Sequence, residues 1–165
     1  MIDNGKATAA AFSAGKFLSF YLSKEEYGIA ILKVREIIGM VDVTPLPKTP
    51  DFVKGVINLR GKIIPVIDLR LKFGMEPAEY TNETCIVVVD IDRDGESPIQ
   101  IGCIVDTVSE VLSVDSDQFE TAPRCADAQL DYIDGLAKLK DRVIILLDID
   151  CVVGDLNPAL SGLAA

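Results

Sequence analysis

Short runs of Val, Ile, Leu, Phe and Tyr follow one another closely along the chain, with turn-forming residues between them. Runs of this length and spacing are typical of the strands of a small β-barrel. Three polar turns each join two such runs and predict β-hairpins, because the apolar segments on either side are long enough to pair. These turns are residues 23–26, 60–61 and 92–95.

Helical periodicity is weak along the whole chain. Short helical turns are expected at 51–54, 68–73 and 148–153, whereas the apolar spacing of 34–38 suits a strand and a helix equally. The connector VTPLPKTP at 43–50 must run extended, because proline fixes φ and restricts the residue before it. The pattern therefore predicts a mainly β chain with a few short helices.

The chain contains an internal duplication. Residues 52–69 (FVKGVINLRGKIIPVIDL) match 132–149 (YIDGLAKLKDRVIILLDI) 80 positions apart, and 27–38 match 101–112 at a distance of 74. A third pair of runs, upstream of these, agrees only in apolar character, but all three pairs occur in the same order. We therefore expect two barrels of about five strands each. The repeat leaves open whether each barrel is contiguous or the halves exchange strands.

Composition narrows the classes of function. A chain of 165 residues has room for one domain, or for two very small subdomains that share a core. Hydrophobic residues make up 49% of it and the mean hydropathy is +0.31, which leaves apolar surface to spare. The formal charge of −10 argues against binding to nucleic acid. No apolar run is long enough to span a membrane, and residues 1–14 predict a disordered tail.

Candidate catalytic chemistry is sparse. The chain has no histidine, so the commonest general base and metal ligand is missing. Three carboxylate pairs support the rival hypothesis of a metal-dependent enzyme. They are Asp90 with Asp92, Asp115 with Asp117, and Asp148 with Asp150. The last two pairs lie at or just past strand ends, where Asp caps turns and helices, and the DRDGES turn at 92–97 lacks the distal Glu of a calcium loop. We therefore predict no catalytic residue, no cofactor and no metal site.

The four cysteines show no close pairing in the sequence. Cys85, Cys103 and Cys151 lie inside apolar runs, and Cys125 does not. Because a buried cysteine behaves as a small hydrophobic residue, we expect buried free thiols rather than disulfides.

Glu36 and Arg60 are the charged residues of most interest, since both lie among hydrophobic neighbours inside the repeated segments. Arg60 is at the tip of a predicted hairpin beside Gly61, where its side chain either reaches back over a groove or extends into solvent. An arginine fork matches a carboxylate in geometry, so the first alternative makes Glu36 and Arg60 a positioned pair that holds a binding surface. The residues alone leave both alternatives open.

Three stretches resemble the signature segments of the CheW family of chemotaxis coupling proteins. They are residues 25–39 (EEYGIAILKVREIIG), 52–74 (FVKGVINLRGKIIPVIDLRLKFG) and 101–114 (IGCIVDTVSEVLSV). Within the second stretch, NLRGKIIPVIDLR is the most specific block. The resemblance covers about 15–153 and leaves a C-terminal tail at 154–165. It implies two five-stranded SH3-like β-barrels on a shared hydrophobic core, in agreement with the duplication.

The resemblance also implies a division into barrels and a function. Barrels of this family exchange segments, which suggests one barrel near 15–42 and 115–152 and another near 43–114. Members are non-catalytic adaptors that join the cytoplasmic tip of a chemoreceptor to the regulatory domain of the histidine kinase CheA. They are cytoplasmic and are recruited to membrane-associated receptor arrays without inserting into the membrane. The open alternative is a scaffold of a non-flagellar array, such as one for surface motility.

A receptor groove between the barrels and a kinase contact at the barrel ends are implied by the same resemblance. The positions that match the receptor groove are Ile31, Val34, Glu36, Asn58, Leu59, Arg60, Gly102 and Val105. Gly55 and Val108 match positions linked to coupling. Glu36 and Arg60 match an ion pair beside the groove, which favours the first of the two alternatives for Arg60.

Overall fold

The computed structural model describes residues 15–93, 96–121 and 132–154. The tails predicted at 1–14 and 154–165 lie outside the described residues, apart from Gly154. So do the centre of the 92–95 turn and the segment that contains Cys125.

The described residues form eleven β-strands, two short helices and one turn of 3₁₀ helix. The strands are β1 (Gly15–Leu22), β2 (Glu25–Ala30), β3 (Val34–Gly39), β4 (Val53–Leu59), β5 (Lys62–Asp68), β6 (Cys85–Arg93), β7 (Glu96–Val105), β8 (Thr107–Val114), β9 (Phe119–Thr121), β10 (Ile133–Lys138) and β11 (Val143–Leu147). The 3₁₀ turn Ile31–Lys33 follows β2, helix α1 (Leu69–Lys72) follows β5, and helix α2 (Ile149–Gly154) follows β11. The prediction of a mainly β chain is confirmed, and all three predicted hairpins form.

Two of the three predicted helical turns are present, and an aspartate precedes each of them. The carboxylate of Asp68 accepts a hydrogen bond from the backbone N–H of Arg70 at 2.9 Å, and that of Asp148 accepts one from the backbone N–H of Cys151 at 3.2 Å. These bonds satisfy N–H groups that have no partner within the helix. Local capping therefore explains why both helices begin where a strand ends.

The helical turn predicted at 51–54 is wrong. Val53 is buried and begins β4, so the segment leads into the first strand of the β4–β5 hairpin rather than into a helix. The ambiguous segment 34–38 is strand β3, where half-buried and exposed residues alternate with the period of two that a strand requires.

The strands form two sheets with the same order once the repeat is taken into account. The first sheet runs β8-β1-β2-β11-β10-β9 and the second runs β3-β6-β7-β5-β4. The repeat relates β1 to β6, β2 to β7, β3 to β8, β4 to β10 and β5 to β11, so that the first five strands of one sheet correspond to the five of the other. The parallel contacts correspond as well, since β11 joins β2 as β5 joins β7. The fold therefore contains the duplication that the sequence predicts.

The division into barrels at 15–42, 43–114 and 115–152 stays a prediction, and the strand pairing shows where the chain passes from one sheet to the other. Strand β3 pairs with β6 in the second sheet, and β8 pairs with β1 in the first. The chain crosses between sheets at Ile31–Lys33 and returns at Asp106, inside each repeat rather than at its ends. Because the proline-rich connector also contributes the Thr44–Val56 bridge to the second sheet, it does not mark the boundary.

Each crossover is held by an ion pair with the helix that follows the repeated hairpin. At the return crossover, Arg70 of α1 contacts Asp106 with its Nη2 atom 2.7 Å from Oδ2. At the first crossover, the Nζ of Lys33 lies 3.0 Å from Oδ2 of Asp150 in α2. The repeat relates Arg70 to Asp150, and Lys33 lies one position after the residue that corresponds to Asp106, so the two contacts lie in similar places with the charges reversed.

A shared core joins the two sheets. The largest hydrophobic cluster contains fully buried residues of both, among them Phe20 and Ile29 of the first sheet and Val87 and Ile101 of the second. Two smaller clusters lie on one sheet each. Because neither sheet encloses the main cluster alone, the described strands pack as a single unit.

Candidate functional site

Glu36 and Arg60 form a bidentate ion pair that joins the two edges of the second sheet. Glu36 lies on edge strand β3, and Arg60 follows the opposite edge strand β4. Nη1 and Nη2 of Arg60 donate to the two carboxylate oxygens of Glu36 at 2.6 and 2.8 Å. The side chain of Arg60 is 72% exposed and that of Glu36 is 25% exposed. Of the two alternatives for Arg60, the structure has the arginine reaching back across the sheet edge.

The turn that carries Arg60 has a left-handed backbone. Arg60 has φ of 55° and Gly61 has φ of 84°. The side chain of Asn58 supports this turn by accepting a hydrogen bond from the backbone N–H of Gly61 at 2.8 Å. Asn58 therefore fixes the turn from which Arg60 projects.

Electrostatics keep the pair ionised. The hydrogen bonds from Arg60 lower the pKa of Glu36 below its ordinary value. The same bonds raise the pKa of Arg60 above its ordinary value. A bidentate contact between two charged groups also defines orientation, since both N–H groups of the fork are engaged.

Four of the expected residues are apolar and half-buried. Ile31, Val34 and Val108 pack against the shared core cluster, and Leu59 packs against the cluster of the second sheet. Each side chain therefore has one surface in the core and another that remains accessible. A substitution at these positions changes folding as well as any contact with a partner.

Gly102, Val105 and Gly55 lie in the interior. Val105 is fully buried, and a Cβ added to Gly102 would lie 2.7 Å from Cγ2 of Ile86. Gly55 has φ of +141°, and a Cβ there would lie 1.9 Å from the carbonyl oxygen of Thr44. These positions shape the packing behind the surface, and none offers a side chain for a partner to contact.

Leu32 is an exposed residue that the sequence reasoning missed. Its side chain is 91% exposed on the 3₁₀ turn between Ile31 and Val34. The apolar residues around Leu32 contain no sequence signal that distinguishes Leu32 from its neighbours. Its side chain is directed outward only by the 3₁₀ turn of the folded chain. Ile37 and Ile63 are also partly exposed, and the alternation along β3 could have identified the first of these.

A second ion pair occupies the corresponding place on the first sheet. Nη2 of Arg142 donates to Oε2 of Glu110 at 3.0 Å. Nε of Arg142 lies 2.9 Å from Oε1 of the buried Glu26, although its N–H direction does not satisfy hydrogen-bond geometry. The repeat aligns Glu36 with Glu110, but it aligns Arg60 with Lys140 and Lys62 with Arg142, so the sequence indicates the acidic partner of this pair and not the basic one. The adjoining Val111 and Val143 are exposed.

Two of the three carboxylate pairs, Asp90 with Asp92 and Asp148 with Asp150, have structural partners. Asp148 caps α2, while Asp92 and Asp150 both contact Lys33, at 3.2 and 3.0 Å. Asp90 lies 3.5 Å from Nε of Arg35. These contacts fix a hairpin, a crossover and a helix end rather than assembling a nucleophile with a base.

The described residues contain neither a candidate metal site nor a candidate membrane-spanning helix. Among residues 15–93, 96–121 and 132–154, no group of three or more Cys, Asp or Glu is arranged to hold a metal ion. Within that same part of the chain, no helix has the length and apolar character needed to cross a membrane.

The cysteines depart from the expectation of burial at one position. Cys103 is buried as expected and Cys85 is half-buried, but Cys151 is exposed because α2 turns it away from the core. Burial raises the pKa of the Cys103 thiol to about 12. Partial desolvation of the thiol and the adjacent Asp148 carboxylate raise the pKa of Cys151 to about 12 as well. Cys125 lies outside the described residues.

The fold and the site define a β-rich binding module with a preorganised charged surface. The family model for the CheW-like domain matches residues 16–156. The chain therefore belongs to the CheW-like family.

Relatives and a solved structure agree with this membership. The chain is 43% identical over 146 residues to the chemotaxis protein CheW of Klebsiella aerogenes, covering 88% of this chain and 85% of the relative. It is 32% identical to the chemotaxis protein CheW of Thermotoga maritima, covering 92% of this chain and 96% of the relative. The crystal structure of the scaffolding protein TtCheW from Thermoanaerobacter tengcongensis superposes with a TM-score of 0.75 at 37% identity, covering 84% of this chain and 92% of that chain.

Proposed function

We propose that the chain is a non-catalytic adaptor that couples chemoreceptors to the regulatory domain of the histidine kinase CheA. The observation that carries the proposal is the Glu36–Arg60 pair, which is exposed and held in one geometry before any partner arrives. Membership of a family whose relatives are named chemotaxis proteins supports the same conclusion.

The physical advantage of the pair is preorganisation. A free arginine side chain loses rotamer freedom when a partner binds, and that loss weakens affinity. Because the fork of Arg60 is already engaged by Glu36, a receptor helix meets an ordered edge. Leu32 adds exposed apolar area at the crossover, beside half-buried Ile31 and Val34, where a helix can bury it.

An adaptor also needs a second surface. The Glu110–Arg142 pair with exposed Val111 and Val143 offers one of similar chemistry on the first sheet. A chain with two such surfaces on one shared core can hold two partners at a fixed angle, and its function is then geometry rather than reaction.

Charge reversal tests the receptor contact. Arg60→Glu places two carboxylates side by side, so we expect a receptor-tip fragment to bind much more weakly while the melting temperature changes little. The double variant Glu36→Arg with Arg60→Glu should recover part of the binding. Lys138→Glu is the matched control, because Lys138 forms an exposed ion pair with Glu120 at 3.3 Å on the other sheet. Unchanged binding by folded Arg60→Glu would contradict the proposal.

Leu32→Asp tests the apolar part of the same surface. Val34→Asp and Leu59→Asp are also expected to weaken receptor binding, but both side chains pack partly against the core and these variants lose stability too. Leu32 projects into solvent, so Leu32→Asp should keep its melting temperature and lose affinity. Binding equal to that of the unaltered chain would remove Leu32 from the surface.

A further inference from the structure

Glu26 is a buried charged residue that the receptor contact leaves without a role. It lies on β2 with its side chain only 4% exposed, a degree of burial that carboxylates rarely reach. The hydroxyl of fully buried Ser19 donates a hydrogen bond to its Oε2, and the hydroxyl of Tyr21 donates one to its Oε1 at 3.4 Å. The carboxylate is therefore anchored by two hydroxyl groups of the neighbouring strand β1.

The guanidinium of Arg142 lies between this buried carboxylate and the surface. Its Nε atom is buried 2.9 Å from Oε1 of Glu26, while its Nη2 atom donates to Oε2 of Glu110 at 3.0 Å. Arg142 is 34% exposed and Glu110 is 52% exposed. Because exposed ion pairs are weak, Glu110 alone would leave the guanidinium loosely held. The attraction of Glu26 for the inner end of the group is what restricts it further.

The repeat supplies an internal reference for this arrangement. The residue that corresponds to Glu26 is Gln100, and the residue that corresponds to Arg142 is Lys62. Gln100 is half-buried and Lys62 is exposed. The second sheet therefore forms with a neutral residue in place of the buried carboxylate and a lysine in place of the arginine. The shared fold does not require either charged group in this form.

Buried ion pairs are better suited to fixing an arrangement than to stabilising a fold. The cost of removing both charges from water can exceed their mutual attraction, whereas the geometry of the pair is well defined. Arg142 directly precedes exposed Val143 on β11, and Glu110 directly precedes exposed Val111 on β8. These four residues form the first-sheet surface. What Glu26 fixes is therefore the guanidinium of an exposed, partly apolar surface.

We propose that Glu26 is a positioning residue of the first-sheet surface, and that this surface binds the regulatory domain of the kinase. This role rests on the proposed function, in which the receptor occupies the Glu36–Arg60 surface and the kinase domain needs another. Glu26 does not touch the partner. It holds Arg142 in one orientation, so that less side-chain freedom is lost when the kinase domain binds.

The mobility of the Arg142 side chain tests the positioning on the full chain without any partner. The heteronuclear NOE of its Nε–Hε group, assigned by the absence of the signal from Arg142→Lys, should be close to that of the backbone and should fall in Glu26→Gln. Glutamine is the matched replacement, because its carbonyl oxygen can still accept the hydrogen bond from Ser19. Glu120→Gln, which changes an exposed carboxylate on the same sheet, is the control and should leave the NOE unchanged. An NOE that stays high in folded Glu26→Gln would overturn the proposal.

Binding of the kinase regulatory domain tests the consequence. Glu26→Gln and Arg142→Lys should each weaken it about tenfold, the cost of ordering one long side chain, while binding of a receptor-tip fragment stays unchanged. The double variant Glu26→Gln with Arg142→Lys reproduces the residues of the other half, so it should regain the melting temperature of the unaltered chain without regaining the affinity. Recovery of both properties would mean that Glu26 serves folding alone, contrary to the proposal.

The outcomes for this role and for the adaptor function can be told apart. Full-strength kinase binding by all three variants, together with loss of receptor binding in Arg60→Glu, would refute the role of Glu26 and leave the adaptor function in place. Failure of the unaltered chain to bind the kinase domain would contradict both.

Discussion

Replacing Gly102 by alanine separates a role in packing from a role in contact. A Cβ at this position would lie 2.7 Å from Cγ2 of Ile86, which is fully buried, and 3.4 Å from Cγ2 of Val66. The repeat relates Gly102 to Gly28, where the nearest atom would be Cδ2 of Leu146 at 3.0 Å. Gly28 of β2 pairs with Leu146 of β11, and Gly102 of β7 pairs with Val66 of β5, in the two corresponding parallel contacts. Gly28→Ala is therefore an internal control.

The expected magnitudes follow from these distances. Overpacking of a core costs about 1–3 kcal/mol, and replacing glycine by alanine recovers about 0.4–1 kcal/mol through the unfolded chain. At Gly102 the side chain of Ile86 must move by more than half an ångström to restore ordinary contact, so we expect a net loss of about 1–2 kcal/mol. At Gly28 a few tenths are enough, and the two effects should nearly cancel.

Urea unfolding of both variants, with receptor binding measured alongside, decides the matter. If Gly102 acts through packing, binding by the folded fraction of Gly102→Ala should remain close to that of the unaltered chain. Equal stability of the two variants would contradict the packing argument. A Gly102→Ala chain of full stability that no longer binds receptor would mean that this position contacts the partner after all.

Two further predictions concern Asp106, at the return crossover, and Asp134 of strand β10. Asp106→Ala removes four hydrogen bonds, three donated by Arg70 and one by the backbone N–H of Ser23. We expect the free energy of unfolding in urea to fall by about 1–2 kcal/mol, and a loss below about 0.5 kcal/mol would contradict this reasoning. Burial raises the pKa of Asp134 to about 6, and two nearby aspartates add to this effect. Because the folded chain favours the protonated carboxyl, the free energy of unfolding falls as pH rises through about 6. Asp134→Asn should therefore stabilise the chain by about 1 kcal/mol at pH 7.5, with a smaller gain at pH 5, whereas exposed Asp42→Asn should show no such difference; equal gains at both pH values would refute this.

Local chemistry made the hairpins and the duplication predictable. Polar turns between apolar runs specify pairing between neighbouring strands, and Asp68 specifies the start of α1 through its own side chain. Pairing between distant strands carries no comparable local signal. The crossovers at Ile31–Lys33 and Asp106 therefore escaped prediction, because which sheet receives β3 and β8 depends on the shared core.

The candidate surface was predicted in part for the same reason. The Glu36–Arg60 contact follows from two charged residues placed in repeated segments, although their closeness requires the sheet edges to meet. Gly102 and Val105 have the same apolar or small character whether they lie on a surface or behind it. Leu32 was missed because its exposure is set by a single 3₁₀ turn.

The most direct test of the account is a bridging measurement with three purified components: a receptor-tip fragment, the regulatory domain of the kinase, and this chain. An adaptor predicts that immobilised receptor retains the kinase domain only when the chain is present, and that retention passes through a maximum as excess chain occupies each partner separately. Arg60→Glu should abolish retention, and Lys138→Glu should not. Equal retention of the kinase domain with and without the chain would contradict the central claim.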